Sequence, residues 1–121
     1  MTLTIVMPWP DKKLSPNARQ HWAAKAKATR DARYSAKYLT LNAMGAAGIF
    51  PIPTPGAKLN VSFTFHPKDK RRRDIDNLIA ATKAHRDGIA DALNVNDSLF
   101  RLTAELGEPM KQACVWVVVT S

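Results

Sequence analysis

Residues 58–78 read KLNVSFTFHPKDKRRRDIDNL, and two periods meet inside them. Up to His66 the chain alternates, with Leu59, Val61, Phe63 and Phe65 on one side and Asn60, Ser62, Thr64 and His66 on the other. That is the period-two pattern of a half-buried strand. Pro67 to Arg73 is a charged loop, and beyond it the spacing changes. Leu78, Thr82, His85, Ile89 and Ala92 recur at three- and four-residue intervals. This predicts a helix whose cap is Asp76 or Asn77 and which runs to about Leu93.

Moving outward, Asn94 to Ser98 reads as the loop that closes this helix. Phe100, Leu102, Ala104 and Leu106 alternate with Arg101, Thr103 and Glu105, and Ala113 to Thr120 is largely apolar, so two more strands are expected. Towards the N-terminus, Phe50 to Gly56 holds three prolines and reads as an extended connector. Before it lies an alanine-rich stretch. Ser15-Pro16 is a start signal for a helix to about Ala47, with Ala28, Ala32, Ala36, Leu39 and Ala43 as its buried stripe. Gly45 and Gly48 end it. Leu3 to Met7 predicts a first strand, stopped by Pro8-Trp9-Pro10. The order β-α-β-α-β-β implies a single-domain α/β fold over residues 1–121, one mixed β-sheet covered by two helices.

The chain has 121 residues, the length of one domain. Its 45% hydrophobic and 23% charged residues exclude global disorder. No apolar run approaches the roughly 18 residues of a membrane span, and MTLTIVMPWP lacks a basic signal-peptide start. The single cysteine, Cys114, forms no internal disulfide, and three scattered histidines leave no structural zinc set. A cytoplasmic setting without membrane or small-molecule cofactor is expected. The net charge is +8. Residues 1–60 carry nine basic and two acidic residues, whereas residues 61–121 carry nine and eight, so the excess lies in the first half. Such a chain attracts polyanions, nucleic acid foremost.

Chemistry concentrates at residues 68–77. Five of the six residues from Lys68 to Arg73 are basic, and Asp74 and Asp76 follow at once. Phosphodiester hydrolysis needs both halves of this arrangement. Carboxylates hold Mg²⁺, which supplies the nucleophile and neutralises charge, and the basic Lys70, Arg71, Arg72 and Arg73 bring in a phosphate that bare carboxylates repel. On one continuous helix, Asp76, Lys83 and Asp87 share a narrow sector away from the core, and Asp97 in the following loop is a third carboxylate positioned to return towards the first two. The plainer alternative is that Asp76 caps the helix, Asp74 pairs with an arginine, and the charges are a solvated face. His85 reads as a packed histidine, Trp22 and Trp116 as core residues. His21 reads as an ordinary residue beside the basic loop rather than a DNA contact, and Trp9 is left open between core packing and a dimer or DNA surface.

Arg-Arg-Arg-Asp-Ile-Asp-Asn-Leu (71–78) followed by Asn-Asp-Ser (96–98) resembles the RusA-type Holliday-junction resolvases of phages and prophages, as does the entry Met7-Pro8-Trp9-Pro10. The resemblance covers nearly the whole chain. It implies a homodimeric, Mg²⁺-dependent endonuclease that makes paired nicks in four-way DNA junctions. Asp74, Asp76 and Asp97 match the family's metal-binding carboxylates, and Arg71 to Arg73 its basic run. Three departures stand out. The family's helical lysine falls at Ala80, Asn96 replaces the first acid of an Asp-Asp pair, and Asp11 to Leu14 are extra. A three-residue insertion in the helix aligns Lys83 with that lysine and makes Asp87 a further candidate. The rival expectations are a non-catalytic nucleic-acid-binding phage protein and an inactive remnant of a nuclease fold.

Overall fold

A computed structural model describes residues 1–19, 21–49 and 56–121. Strand β1 (Thr2–Pro8), helix α1 (Trp22–Ala47), strand β2 (Leu59–His66), helices α2 (Ile75–Ala81) and α3 (Lys83–Leu93), and strands β3 (Phe100–Leu106) and β4 (Cys114–Thr120) follow in that order. The four strands form one mixed sheet in the order β1-β4-β2-β3. Strand β4 runs antiparallel to both β1 and β2, and β2 runs parallel to β3. A parallel pair needs a long crossover, and α2 and α3 supply it. The α/β expectation with a single mixed sheet therefore holds.

Alternation decides which face of the sheet is buried. Leu3, Ile5 and Met7 from β1, Leu59, Val61, Phe63 and Phe65 from β2, and Val115, Val117 and Val119 from β4 form the core with Ala36, Met44, Ile89, Ala92 and Leu93 of the helices. Burying this many large side chains is the main favourable term for a chain of this length. The opposite face carries Thr4, Val6, Ser62, Thr64 and Trp116. Helix α1 lies against α3, and the crossing is set by a small residue. A Cβ on Gly88 would stand 2.2 Å from the Arg33 carbonyl oxygen and 2.9 Å from the Ala36 Cβ, so the two backbones touch where only glycine fits.

Four local expectations need correction. Helix α1 starts at Trp22, not at Ser15-Pro16: the His21 Nδ1 accepts from the Ala23 N–H at 3.2 Å. Ser15 is extended, at ψ 138°, as a residue before proline is, and Leu14 is drawn from a 3₁₀ turn into a small cluster with Ala28 and Ala81. The stripe of α1 also includes buried Thr40 and Met44. The cap of α2 is Asp74, whose Oδ1 accepts from the Asp76 N–H at 2.9 Å. The single helix expected to Leu93 is broken at Thr82 (φ −101°, ψ 12°). There the Thr82 hydroxyl, the Thr82 N–H and the Arg86 guanidinium all donate to the Ile79 carbonyl, and a hydroxyl competing for a helix carbonyl bends the chain. Gly48, left-handed at φ 67°, ends α1 as expected. The proline connector, apart from Gly56, lies outside the described residues.

Candidate active site

The carboxylates and cations of the crossover separate into two groups. In the loop before α2, Asp69 organises the basic run. Its side chain accepts from the Arg71 backbone N–H at 3.0 Å and from the Arg71 guanidinium. It also takes Arg73 Nη2 at 2.8 Å, while Arg73 Nη1 donates to the Asp69 and Arg71 carbonyls. The Arg71 backbone N–H first, and then the Arg73 and Arg71 guanidinium groups, hold the Asp69 carboxyl far below its usual range. The Arg73 guanidinium lies 5.8 Å from the Trp9 ring centroid, and Trp9 meets Phe65 edge to face. Arg73 is thus spent on the fold, with its side chain 18% exposed. Lys70, Arg71 and Arg72 are exposed. Of these, Arg71 is paired, whereas Lys70 and Arg72 enter no ion pair among the described residues.

The second group forms across a longer stretch of chain. Lys83, the first residue of α3, donates to Asp87 Oδ1 at 2.8 Å and also to Asp97 Oδ2. Asp87 lies one turn further along α3, where an i, i+4 partner belongs. Asp97 arrives from the turn before β3. Asn94 ends α3 in the left-handed region at φ 55°, and the Asn96 Oδ1 accepts from the Ser98 N–H at 2.9 Å. Asn96 thereby fixes the turn and leaves the Asp97 carboxylate free for Lys83. The two carboxylates raise the Lys83 pKa, Asp87 most, so the ammonium stays charged. Its hydrogen bond lowers the Asp97 carboxyl. Arg86, half-buried beside them, has its pKa lowered by burial against the pull of Asp87 and Asp97.

Of the residues expected from sequence, Lys83, Asp87 and Asp97 are brought together. Asp74 and Asp76 neither hydrogen-bond nor ion-pair with them. The Asp74 side chain caps α2, and Asp76 stands exposed in its first turn. Asp76 and Lys83 stand seven positions apart on two different helices, with Thr82 between the end of α2 and the start of α3. Among the described residues no group of three or more His, Cys, Asp or Glu is placed to hold a metal ion.

Beside Lys83 and Asp87, a cleft of about 240 Å³ runs between α1 and the crossover, lined also by Lys25, Thr29, Ala80 and Ala84. Ala80 gives this cleft a methyl wall. His85 is buried and its pKa is pushed down to about 4 by burial and then by Arg86, in line with a packed histidine. Two aromatic expectations fail. Trp22 is 77% exposed and Trp116 is 40% exposed, because Trp22 opens α1 beside His21 and Trp116 points to the uncovered face of the sheet. Sequence reasoning missed the ion pair of Arg33 with Asp91, at 2.7 and 2.9 Å, which ties α1 to α3. Opposite charges on two predicted helices were its only signal.

Among the described residues no helix is long and apolar enough to cross a membrane. No family model matches the chain. Over 97 residues it is 41% identical to a protein of Xylella fastidiosa (strain Temecula1 / ATCC 700964) described only as uncharacterized, a match that covers 80% of this chain and 61% of that protein.

Proposed function

We propose that the chain is a divalent-metal-dependent endonuclease that acts as a homodimer on branched DNA, with the four-way junction as its substrate class. The convergence of Lys83, Asp87 and Asp97 on one point carries the reading. The +8 charge and the resemblance of residues 71–78 and 96–98 to junction resolvases support it.

The donor set suits a hard cation. Mg²⁺ takes oxygen ligands, commonly one or two carboxylates with the remainder water, and Asp87 and Asp97 already share one cation, the Lys83 ammonium. These two carboxylates would hold the metal. Asp74 and Asp76, expected as ligands, have no part in holding the metal in this proposal: Asp74 caps α2 and Asp76 stands exposed in its first turn. When bound, Mg²⁺ supplies Lewis acidity and a water of lowered pKa. Lys83, exposed beside these carboxylates, would then offer its charge to the scissile phosphate. Lys70 and Arg72 take flanking phosphates. Two related strands need two such sites, and a twofold dimer of a chain this small provides them.

One observation favours a second reading. Lys83 already satisfies both carboxylates, and Asp74 serves as a cap, so all of them fit a purely structural part in a non-catalytic nucleic-acid-binding protein. Incubating the protein with a labelled mobile four-way junction, in Mg²⁺ and in EDTA, separates the two. Paired nicks in Mg²⁺ alone are expected. Binding without nicks under both conditions would assign the chain to the second reading.

A further inference from the structure

Helix α1 buries Ala28, Ala36, Thr40 and Met44 and turns Arg33 to Asp91 on α3. At about 100° per residue, the sector opposite the buried positions holds Arg30, Tyr34, Lys37, Tyr38 and Leu41. Tyr34 is 74% exposed and Tyr38 is 58% exposed. Four residues apart on one helix face, the two rings are neighbours. Arg30 and Lys37 flank them, and neither enters an ion pair among the described residues. Two acids border the sector: Asp31 is held by Lys27 at 2.8 Å, and Asp91, held by Arg33 at 2.7 Å, also feels the charge of Lys37.

We propose that this face of α1 binds a nucleic-acid strand with unpaired bases, the rings of Tyr34 and Tyr38 stacking on the bases while Arg30 and Lys37 meet the phosphates. Charge selects the occupant. Two copies docked ring to ring would bring two cationic faces together, which repels them, whereas a polyanion is drawn in. A duplex offers phosphates but keeps its bases stacked, so it gains nothing from the rings. Aromatic platforms set in a basic groove are the general means of holding single strands. The proposal rests on the nucleic-acid half of the proposed function and is independent of hydrolysis.

The test is fluorescence anisotropy in EDTA, with an oligothymidylate of about 20 nucleotides, ample for one site, and a duplex of the same length. The double variant Tyr34→Ala, Tyr38→Ala should weaken oligothymidylate binding by about tenfold or more and leave the duplex unchanged. Tyr34→Phe, Tyr38→Phe keeps the rings and should bind like the wild type. Arg30→Ala, Lys37→Ala should lower the salt slope by about 0.7 per lost contact on the single strand; this variant keeps the test valid should the alanine pair unfold. Unchanged affinity of the tyrosine-to-alanine pair overturns the proposal, as does an equal loss on strand and duplex. A shift from dimer to monomer in sedimentation, with strand affinity retained, would give the face to a second copy instead. Because no metal is present, these outcomes are independent of whether junctions are cut.

Discussion

The loop before α2 and the start of α3 both mix arginine or lysine with aspartate, yet they are built in opposite ways. Asp69 collects Arg71 and Arg73, partners two and four residues away, through hydrogen bonds within one turn, with Arg73 resting against Trp9. Lys83 instead joins Asp87 to Asp97, 14 residues distant, and the pairing exists only because α3 and the turn after it fold back together. Dense charge in a sequence therefore tends to satisfy itself, as Arg73 does. The groups available for chemistry are those that the tertiary fold gathers from farther apart.

The sharpest way to break this contrast is to remove the cation at its centre. Lys83→Ala should lower junction cleavage by roughly 10²-fold or more, the scale of losing one preorganised electrostatic group. Stability should change by no more than about 1 kcal/mol, since the Lys83 side chain is 56% exposed and solvent screens its pairs. Single-turnover cleavage beside a urea melt reads both. A large loss of stability with cleavage intact would make the cluster a strut like the Asp69 loop.

Next in size is an effect of pH on the ionisable group the fold keeps neutral. Burial, and then the Arg86 charge, push the His85 pKa down to about 4 from its ordinary 6.5. The unfolded chain therefore binds the proton first, and stability present above about pH 6.5 is lost as pH falls towards 4. A depression of this size corresponds to about 3 kcal/mol. Urea melts between pH 7 and 4.5 should show most of that slope, and His85→Leu should flatten it. The aspartates with lowered pKa, Asp31, Asp69, Asp91 and Asp97, lose their contribution only at lower pH, so the windows are separable.

Arg73→Ala removes hydrogen bonds to Asp69 and to the Arg71 carbonyl, together with the contact over Trp9. It should cost about 1–3 kcal/mol in a urea melt and hardly alter the salt dependence of DNA binding. The smallest effect sharpens the same point from the other side. Arg72→Ala should leave stability alone and reduce the salt slope of junction binding by about one unit. If Arg73→Ala changes the slope and Arg72→Ala does not, the two arginines have exchanged parts.

Much of this was legible in the residues. The alternation of Leu59 to Phe65 set a strand and its buried face, and the charge of residues 68–77 drew attention to the crossover. The shared sector of Lys83 and Asp87 was readable, whereas Asp97, expected to return towards Asp74 and Asp76, meets Lys83 instead. The break at Thr82 was not readable, because a threonine inside an apolar helical period looks like any other inner-face residue until its hydroxyl takes the Ile79 carbonyl. That break interrupts the single helix on which Asp76, Lys83 and Asp87 are expected to share a sector. The start of α1 was misplaced for a related reason: Ser15-Pro16 is a good local start signal, but Leu14 finds its apolar partners Ala28 and Ala81 only when the segment before the helix turns back. Trp22 and Trp116 are exposed although their apolar surroundings suggest core, because burial depends on which face the helix start and the strand register present.

The most direct measurement is cleavage of a labelled four-way junction by Asp97→Asn in Mg²⁺, alongside its affinity for the same junction. The substitution keeps the shape and a hydrogen-bond acceptor for Lys83 while removing the charge that suits Asp97 to a metal. If Asp87, Asp97 and Lys83 form a hydrolytic site, the variant binds the junction as tightly as the wild type, or more tightly, and makes no nicks. Nicking by Asp97→Asn at the wild-type rate would contradict that assignment and return Asp97 to the role of a surface ion pair.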